Sequence, residues 1–151
     1  MQGIKHILLH LQGEESDTRC SDFAVALARR LDAAVSTLFV RVPPAVPPFT
    51  LGPFRRGIEQ AQTEYFEKRE AVARAAFASL EKKLGTAPEW NALEGHRIDS
   101  LVHFGHCFDL VVVAQEEQRT GSMIVDFDQP AEVVLAVGRP VLIVPARADM
   151  A

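Results

Sequence analysis

The sequence predicts an α/β fold in which helices cover both faces of an open, five-stranded parallel sheet. Short apolar and β-branched runs alternate with helical segments along the chain, and this alternation is typical of βα units joined by right-handed crossovers. The clearest strand, DLVVVA at 109–114, is apolar on both faces, as strands between two helical layers are. The length of 151 residues suits one ordinary domain, so we expect residues 1–151 to form a single domain.

The amino-terminal part of the chain predicts a strand, a helix and a second strand. Ile4–Leu11 is an apolar run, and Ala33–Val42 is rich in β-branched residues. The helix between them is expected to be capped by Ser16 and to end near Leu31. Its core face is predicted to hold small and apolar residues at helical spacing: Cys20, Phe23, Ala24, Leu27, Ala28 and Leu31.

The middle of the chain predicts a loop and a long helix. Pro43–Gly57 is proline-rich, and proline neither continues a β ladder nor enters a helix interior. This loop, with Arg55 and Arg56, could fold over a binding cleft or be a solvated insertion. Ile58–Leu84 is the longest predicted helix, and Gly85 is a suitable stop. Its apolar face is expected to follow Ile58, Ala61, Tyr65, Val72, Ala76 and Lys83 and to be widened by Phe66, Ala73, Phe77, Leu80 and Leu84.

The remaining elements alternate in the same way. Trp90–Leu93 is a weak strand, and Gly95–Phe108 contains a short helix. That helix is expected to face inward with Ile98, Leu101, Val102 and Gly105. Asp109–Ala114 is a buried strand, followed by a polar loop over Gln115–Asp128. The last two elements are a helix at Pro130–Val137, capped by Asp128 or Gln129, and a strand at Val141–Val144.

Composition excludes several classes of function. The net charge of −4 and the pI of about 5.7 disfavour a sequence-independent grip on nucleic acid or docking on anionic lipid. The apolar runs are far shorter than the roughly 20 residues of a membrane span. The opening residues do not resemble a signal peptide, so we expect a cytoplasmic location. The two cysteines, Cys20 and Cys107, are expected to be free thiols.

The candidate ligand site is a cleft. In an open parallel sheet, ligands bind beyond the carboxyl ends of the strands where the winding direction reverses. The loops expected there are 12–16 after the first strand and 115–128 after the fourth.

The residues around these loops resemble a known family. IKHILLHLQGEESD with FAVALARRLDAAVSTLFV looks like the amino-terminal half of a universal stress protein domain, and DLVVVAQ with PAEVVLAVGRPVLIVP looks like its carboxyl half. The closing GRPVLIVP is most similar to a branch that often occurs as tandem pairs, of which this sequence carries one copy. The resemblance implies a five-stranded parallel sheet, cytoplasmic stress-linked roles, dimerisation through the last strand and, in some members, ATP bound in the cleft.

The residues that would hold ATP depart from the pattern of the family. The resemblance implies an Asp where Gln12 stands, spaced glycines where Ala114 and Glu117 stand, and a Gly-Ser pair near Asp128. Glycines let backbone N–H groups approach phosphate oxygens. The two loops are instead acidic, with Glu14, Glu15, Asp17, Glu116, Glu117, Asp126 and Asp128 against Arg19 and Arg119. This charge disfavours a polyphosphate. The nucleotide-contact candidates, for ATP with magnesium, are Gln12, Gly13, Val40, Ala114, Gly121 and Ser122.

The expected function is therefore a non-catalytic regulatory or stress-response binding module of the universal stress protein type, with a degenerate nucleotide site and no cofactor. Two alternatives stay open: a stress protein that binds ATP and hydrolyses it slowly, and a small-molecule enzyme on the same fold. The expected partners are an unidentified protein and a second copy of the chain. That copy would pair along the edge strand formed by Val141, Leu142, Ile143 and Val144.

Other arrangements of reactive residues are weaker candidates. His103, His106 and Cys107 have ligand-like spacing, but three side chains on one exposed helix do not complete a tetrahedral zinc site. His10 and Ser16 lack the motif of any nucleophilic enzyme, because one lies in a strand and the other at a helix start. Cys20 lies beside Arg19 near a helix start, yet its place on the core face favours a buried hydrophobic role.

Overall fold

The computed structural model describes residues 3–43, 45–115 and 130–145, in which five strands alternate with four helices. The strands are β1 (His6–Leu11), β2 (Ala34–Arg41), β3 (Glu89–Glu94), β4 (Leu110–Ala114) and β5 (Val141–Val144). The helices are α1 (Ser16–Leu31), α2 (Gly52–Leu84), α3 (Arg97–Gly105) and α4 (Pro130–Ala136). The strand order is β3-β2-β1-β4-β5, and all neighbouring strands are parallel. The predicted fold class is confirmed.

The winding of the sheet reverses beside β1. The chain runs outward from β1 through β2 to β3, and then returns to place β4 on the other side of β1. Ile7 is accordingly the register partner of both Val35 in β2 and Leu110 in β4. The carboxyl ends of β1 and β4 therefore border the crevice in which ligands of this architecture bind.

Two helical layers cover the sheet. Alternate β1 residues Ile7, Leu9 and Leu11 pack in one core cluster with buried residues of α1 and α2. Leu8 packs on the opposite face with Leu101 of α3 and with the two buried valines of the α4 side, Val133 and Val137. The period-2 alternation of a strand thus divides β1 between the two layers.

Helix α2 begins earlier than predicted. Its first residue is Gly52, so Arg55 and Arg56 belong to the helix and not to the proline-rich loop. Pro53 lies in the first turn, where proline is well tolerated because its missing N–H would have no helical partner. The loop itself lies beside the helix, and the side chain of Gln62 donates a hydrogen bond to the carbonyl of Ala45.

The predicted core face of α2 was partly wrong. Phe66, Ala73, Ala76 and Leu80 are buried as expected, but Ile58, Ala61 and Val72 are exposed. Helical spacing shows which residues share a face, whereas the position of the sheet decides which face it covers. The buried set also includes a charged residue, Arg69, on the core side of the helix.

Two smaller predictions concern helix starts. Ser16 does not cap α1: the N-cap is Glu15, it makes no side-chain capping bond, and Ser16 is the first helical residue. The capping role expected of Asp128 or Gln129 at α4 lies outside the described residues.

Among the residues that are described, no helix has both the length and the apolarity needed to cross a bilayer.

Candidate functional site

A small cleft opens where β1 and β4 end, on the α3 and α4 side of the sheet. Residues of both strands and both helices line it: His10, Gln12, Leu101, Val113, Ala114, Pro130 and Val133. The volume between these described residues is about 10 Å³, which suits roughly one water molecule. The described part of the cleft is thus apolar apart from two β1-side groups, the His10 imidazole and the Gln12 amide.

The structure brings together only some of the predicted contact residues. Gln12 and Ala114 both line the cleft. Val40 is buried on the same face of the sheet, within the core cluster of α3 and α4, and does not line the cleft. Gly13 packs against α2 instead. Gly121 and Ser122 lie outside the described residues.

Asp17 holds the loop that follows β1. Its carboxylate accepts hydrogen bonds from the backbone N–H groups of Gln12, at 2.9 Å, and Gly13, at 2.7 Å. Burial raises the pKa of Asp17 to about 6, although these two hydrogen bonds act in the opposite direction. Asp17 was expected to belong to the acidic loops that disfavour a polyphosphate, but the residue is only 1% exposed and bonds inward to the loop backbone.

Arg69 reaches the same loop from α2. Its Nε donates to the carbonyl of Gln12 at 2.8 Å, and its Nη2 donates to the Glu14 carboxylate at 2.9 Å. Its Nη1 donates to the hydroxyl of Tyr65 at 3.0 Å. The guanidinium therefore satisfies a backbone carbonyl and neutralises Glu14, one of the carboxylates that were expected to disfavour a polyphosphate.

Gly13 allows α2 to come this close. Its φ is +75°, in the left-handed region that favours glycine. A Cβ at this position would lie 2.6 Å from the Cβ of Arg69 and still closer to its backbone carbonyl. Only a residue without a side chain fits between the β1 loop and α2.

In these contacts, polar backbone groups of the loop form hydrogen bonds within the protein. The N–H groups of Gln12 and Gly13 bond to Asp17, and the carbonyl of Gln12 bonds to Arg69. A phosphate cradle needs N–H groups that are free to face a ligand. In the described residues, neither of these two N–H groups is free to do so.

His10 is the titratable group at the floor of the cleft. The side chain is 1% exposed, and its buried Nδ1 has no hydrogen-bond partner among the described residues. Burial lowers the pKa of His10 well below its ordinary value, and the positive charges of Arg97 and Arg69 lower it further. The imidazole is therefore neutral near pH 7, able to exchange a hydrogen bond with an uncharged group.

Sequence reasoning missed the roles of His10, Arg69 and Arg97. Arg97, the first residue of α3, is 5% exposed. A signal existed for two of them. Histidine interrupts an otherwise apolar strand, and Arg69 lies at helical spacing between Phe66 and Ala73 on the apolar face of α2. A polar group at a core position has to find a partner, which makes it a candidate for a structural or binding role. No comparable pattern singles out Arg97.

The remaining candidates are distributed around the protein. Cys20 is 1% exposed, and burial raises the pKa of its thiol to about 12, whereas Cys107 is exposed; both are free. Within the described ranges, no three His, Cys, Asp or Glu side chains are grouped as metal ligands would be.

The strand β5 forms one edge of the sheet: Val141 and Leu142 are half-buried, Val144 is buried, and Ile143 is 38% exposed.

Several solved structures with a similar fold are universal stress proteins. A universal stress protein in complex with cAMP is 22% identical, with a TM-score of 0.57 over 95% of this chain and 98% of that one. The universal stress protein UspA from Lactobacillus plantarum is 15% identical, with a TM-score of 0.69 over 95% and 99%. The universal stress protein from Archaeoglobus fulgidus in complex with dAMP is 16% identical, with a TM-score of 0.56 over 95% and 98%.

The likeness lies in the structure more than in the sequence. No protein-family model matches the sequence, and no curated protein matches it. The solved structures nevertheless align with nearly the whole chain, so the likeness is one of fold. The chain has the universal stress protein fold.

Proposed function

We propose that this chain is a non-catalytic binding module of the universal stress protein type, acting in the cytoplasm, whose cleft is degenerate for ATP. In this role the protein responds to or regulates a partner protein and does not turn over a substrate. The chemistry of the cleft supports the proposal: its described lining is mostly aliphatic, and it pairs one neutral histidine with one amide.

One observation carries the proposal. Asp17 and Arg69 together take up the backbone polar groups of Gln12 and the N–H of Gly13, at the turn after β1 where a nucleotide would need them. A ligand that displaced these contacts would break two hydrogen bonds to the buried Asp17 carboxylate and one from the Arg69 guanidinium. A hydrogen bond to a charged group contributes about 1.5–3 kcal/mol. Binding of a triphosphate at this turn would have to overcome that cost.

The test is a direct search for nucleotide. The purified protein is denatured, and the supernatant is analysed for adenine nucleotides by chromatography and absorbance. The native protein is then titrated with ATP and magnesium by calorimetry. We expect no released nucleotide and no heat of binding at micromolar ATP. Stoichiometric nucleotide, or binding at micromolar affinity, would overturn the proposed degeneracy of the site.

A second candidate function is the binding of a nucleotide that carries one phosphate group in place of a triphosphate. Similar structures hold cAMP and dAMP, which carry a single phosphate. Among the described residues, the Nδ1 of His10 has no hydrogen-bond partner, and His10 and Gln12 both line the cleft. The same calorimetry with AMP and cAMP separates the two functions. Binding that is lost in His10→Leu, while the folded state is retained by circular dichroism, would favour this alternative.

The module is further proposed to dimerise along β5. Strand edges expose unpaired N–H and C=O groups, and a two-fold copy can satisfy them by antiparallel pairing. Ile143 is apolar and 38% exposed on this edge. We expect Ile143→Lys to lower the mass in solution measured by light scattering, whereas Ala78→Lys, on an exposed part of α2, should not. An unchanged mass for Ile143→Lys would contradict pairing through β5.

A further inference from the structure

His10 carries a buried polar atom that the described residues leave unpaired. The residue is 1% exposed, and its Nδ1 has no hydrogen-bond partner in the part of the chain that the structure describes. A buried polar atom without a partner costs about 1–3 kcal/mol, and such atoms in folded proteins are nearly always bonded to protein or to ordered water. The described residues thus leave Nδ1 as a position for a bound group.

The space in the cleft limits the size of that group. The volume between the described lining residues is about 10 Å³. A cavity needs about 10–15 Å³ and at least two polar partners to hold a water molecule. His10 is one such partner, and Gln12, the other polar residue of the lining, supplies a second. A single oxygen atom with its hydrogens fits this volume, whereas a phosphate group is too large for it.

The chemistry around the imidazole favours an uncharged group. Burial and the positive charges of Arg97 and Arg69 lower the pKa of His10, so the ring is neutral near pH 7 and has one donor and one acceptor nitrogen. The other described lining residues are apolar, and two of them, Leu101 and Val133, are buried on the α3 and α4 side. An ion bound there would lose its hydration and meet no opposite charge on the ring. A hydroxyl group exchanges a hydrogen bond with the ring at a much smaller cost.

We propose that the floor of the cleft is a binding position for one O–H group, held by Nδ1 of His10. In the free protein this group is a water molecule. In the complex it is the hydroxyl group of an uncharged ligand, whose apolar part lies against Leu101 and Val133. The ligand class is therefore a neutral alcohol.

This inference rests on the proposed function, because it names the ligand class of the same cleft. The two fail separately. The ATP titration reports on phosphates at the turn after β1, where Asp17 and Arg69 take up the backbone groups. The experiments below report on a hydroxyl group at Nδ1 of His10.

The bound water is tested by NMR spectroscopy of the isotope-labelled protein. In the wild type we expect cross-relaxation between a long-lived water molecule and the methyl groups of Leu101 and Val133, which line the same volume. This signal should be lost in His10→Leu. His6→Leu, at an exposed histidine of the same strand, is the matched control and should keep it. The wild-type measurement needs no variant, and the lack of a water signal there would overturn the proposal.

The ligand hydroxyl is tested with 2-propanol as the probe. Titration of the wild type should shift the methyl resonances of Leu101 and Val133 to saturation and remove the water signal. In His10→Leu, with native circular dichroism, the shifts should no longer saturate, whereas His6→Leu should behave as the wild type does. Titration without saturation in the wild type, or equal saturation in His10→Leu, would overturn the assignment of His10 as the hydroxyl-binding residue.

Discussion

Replacement of Gly13 by alanine should weaken the packing of α2 against the loop after β1 and so lower the stability of the protein. The left-handed φ of +75° costs a side chain about 1–2 kcal/mol. The added methyl would also lie 2.6 Å from the Cβ of Arg69, where overpacking costs about 1–3 kcal/mol more. We therefore expect Gly13→Ala to lower the free energy of unfolding by about 2–5 kcal/mol.

Gly85 provides a matched control for the backbone strain. Its φ is +70°, but a Cβ there would meet no atom within 4 Å. Gly85→Ala should thus cost only the strain, about 1–2 kcal/mol. Both variants are measured by urea denaturation at one protein concentration, followed by the fluorescence of Trp90, the only tryptophan in the sequence. If the two losses agree within about 0.5 kcal/mol, the close approach of Arg69 to Gly13 contributes nothing, and the reasoning is refuted.

Three further predictions concern the buried charges and the thiols. The pKa of Asp17 is raised from 3.8 to about 6 in the folded protein, so between these pH values the folded state binds more protons than the unfolded state. The free energy of unfolding should therefore fall by up to about 3 kcal/mol as the pH rises through this window. Asp17→Asn should flatten this dependence in urea denaturation, and a slope equal to that of the wild type would contradict it. Arg69→Met should cost about 2–4 kcal/mol, because Gln12 and Glu14 lose a buried partner. Lys5→Met, at an exposed ion pair, should cost less than about 1 kcal/mol, and equal losses would refute the difference. A thiol reagent should modify only Cys107 in the folded protein, because burial raises the pKa of Cys20 to about 12; fast labelling of Cys107→Ser would show otherwise.

Part of the candidate site could be predicted because it follows from topology alone. The cleft was expected beside the ends of the first and fourth strands, and Gln12 and Ala114 do meet there. The roles of the charged residues could not be predicted in the same way. Asp17 precedes a helical face in the sequence much as a capping or rim residue would, and only its packing shows that it bonds back to Gln12 and Gly13.

Long-range contacts explain the other differences. Arg69 meets a carbonyl 57 positions away in the sequence, and no local pattern encodes that encounter. The exposed side of α2 is a similar case, since the helical period that includes Ile58 and Val72 suits a core face as well as an exposed one. The sheet covers a neighbouring face of α2, so these two side chains remain at the surface.

The sequence by itself determined the fold class and the order of the elements, because strand and helix periods, proline and glycine act over a few residues. The edge position of β5 was a prediction from the sequence, and the strand order of the folded sheet decided that β3 and β5 are its two edges. The tertiary structure decided which face of α2 is buried, how Arg69 and Asp17 close the loop after β1, and that His10 remains neutral. These properties depend on burial and on contacts between distant segments, which exist only once the layers have packed.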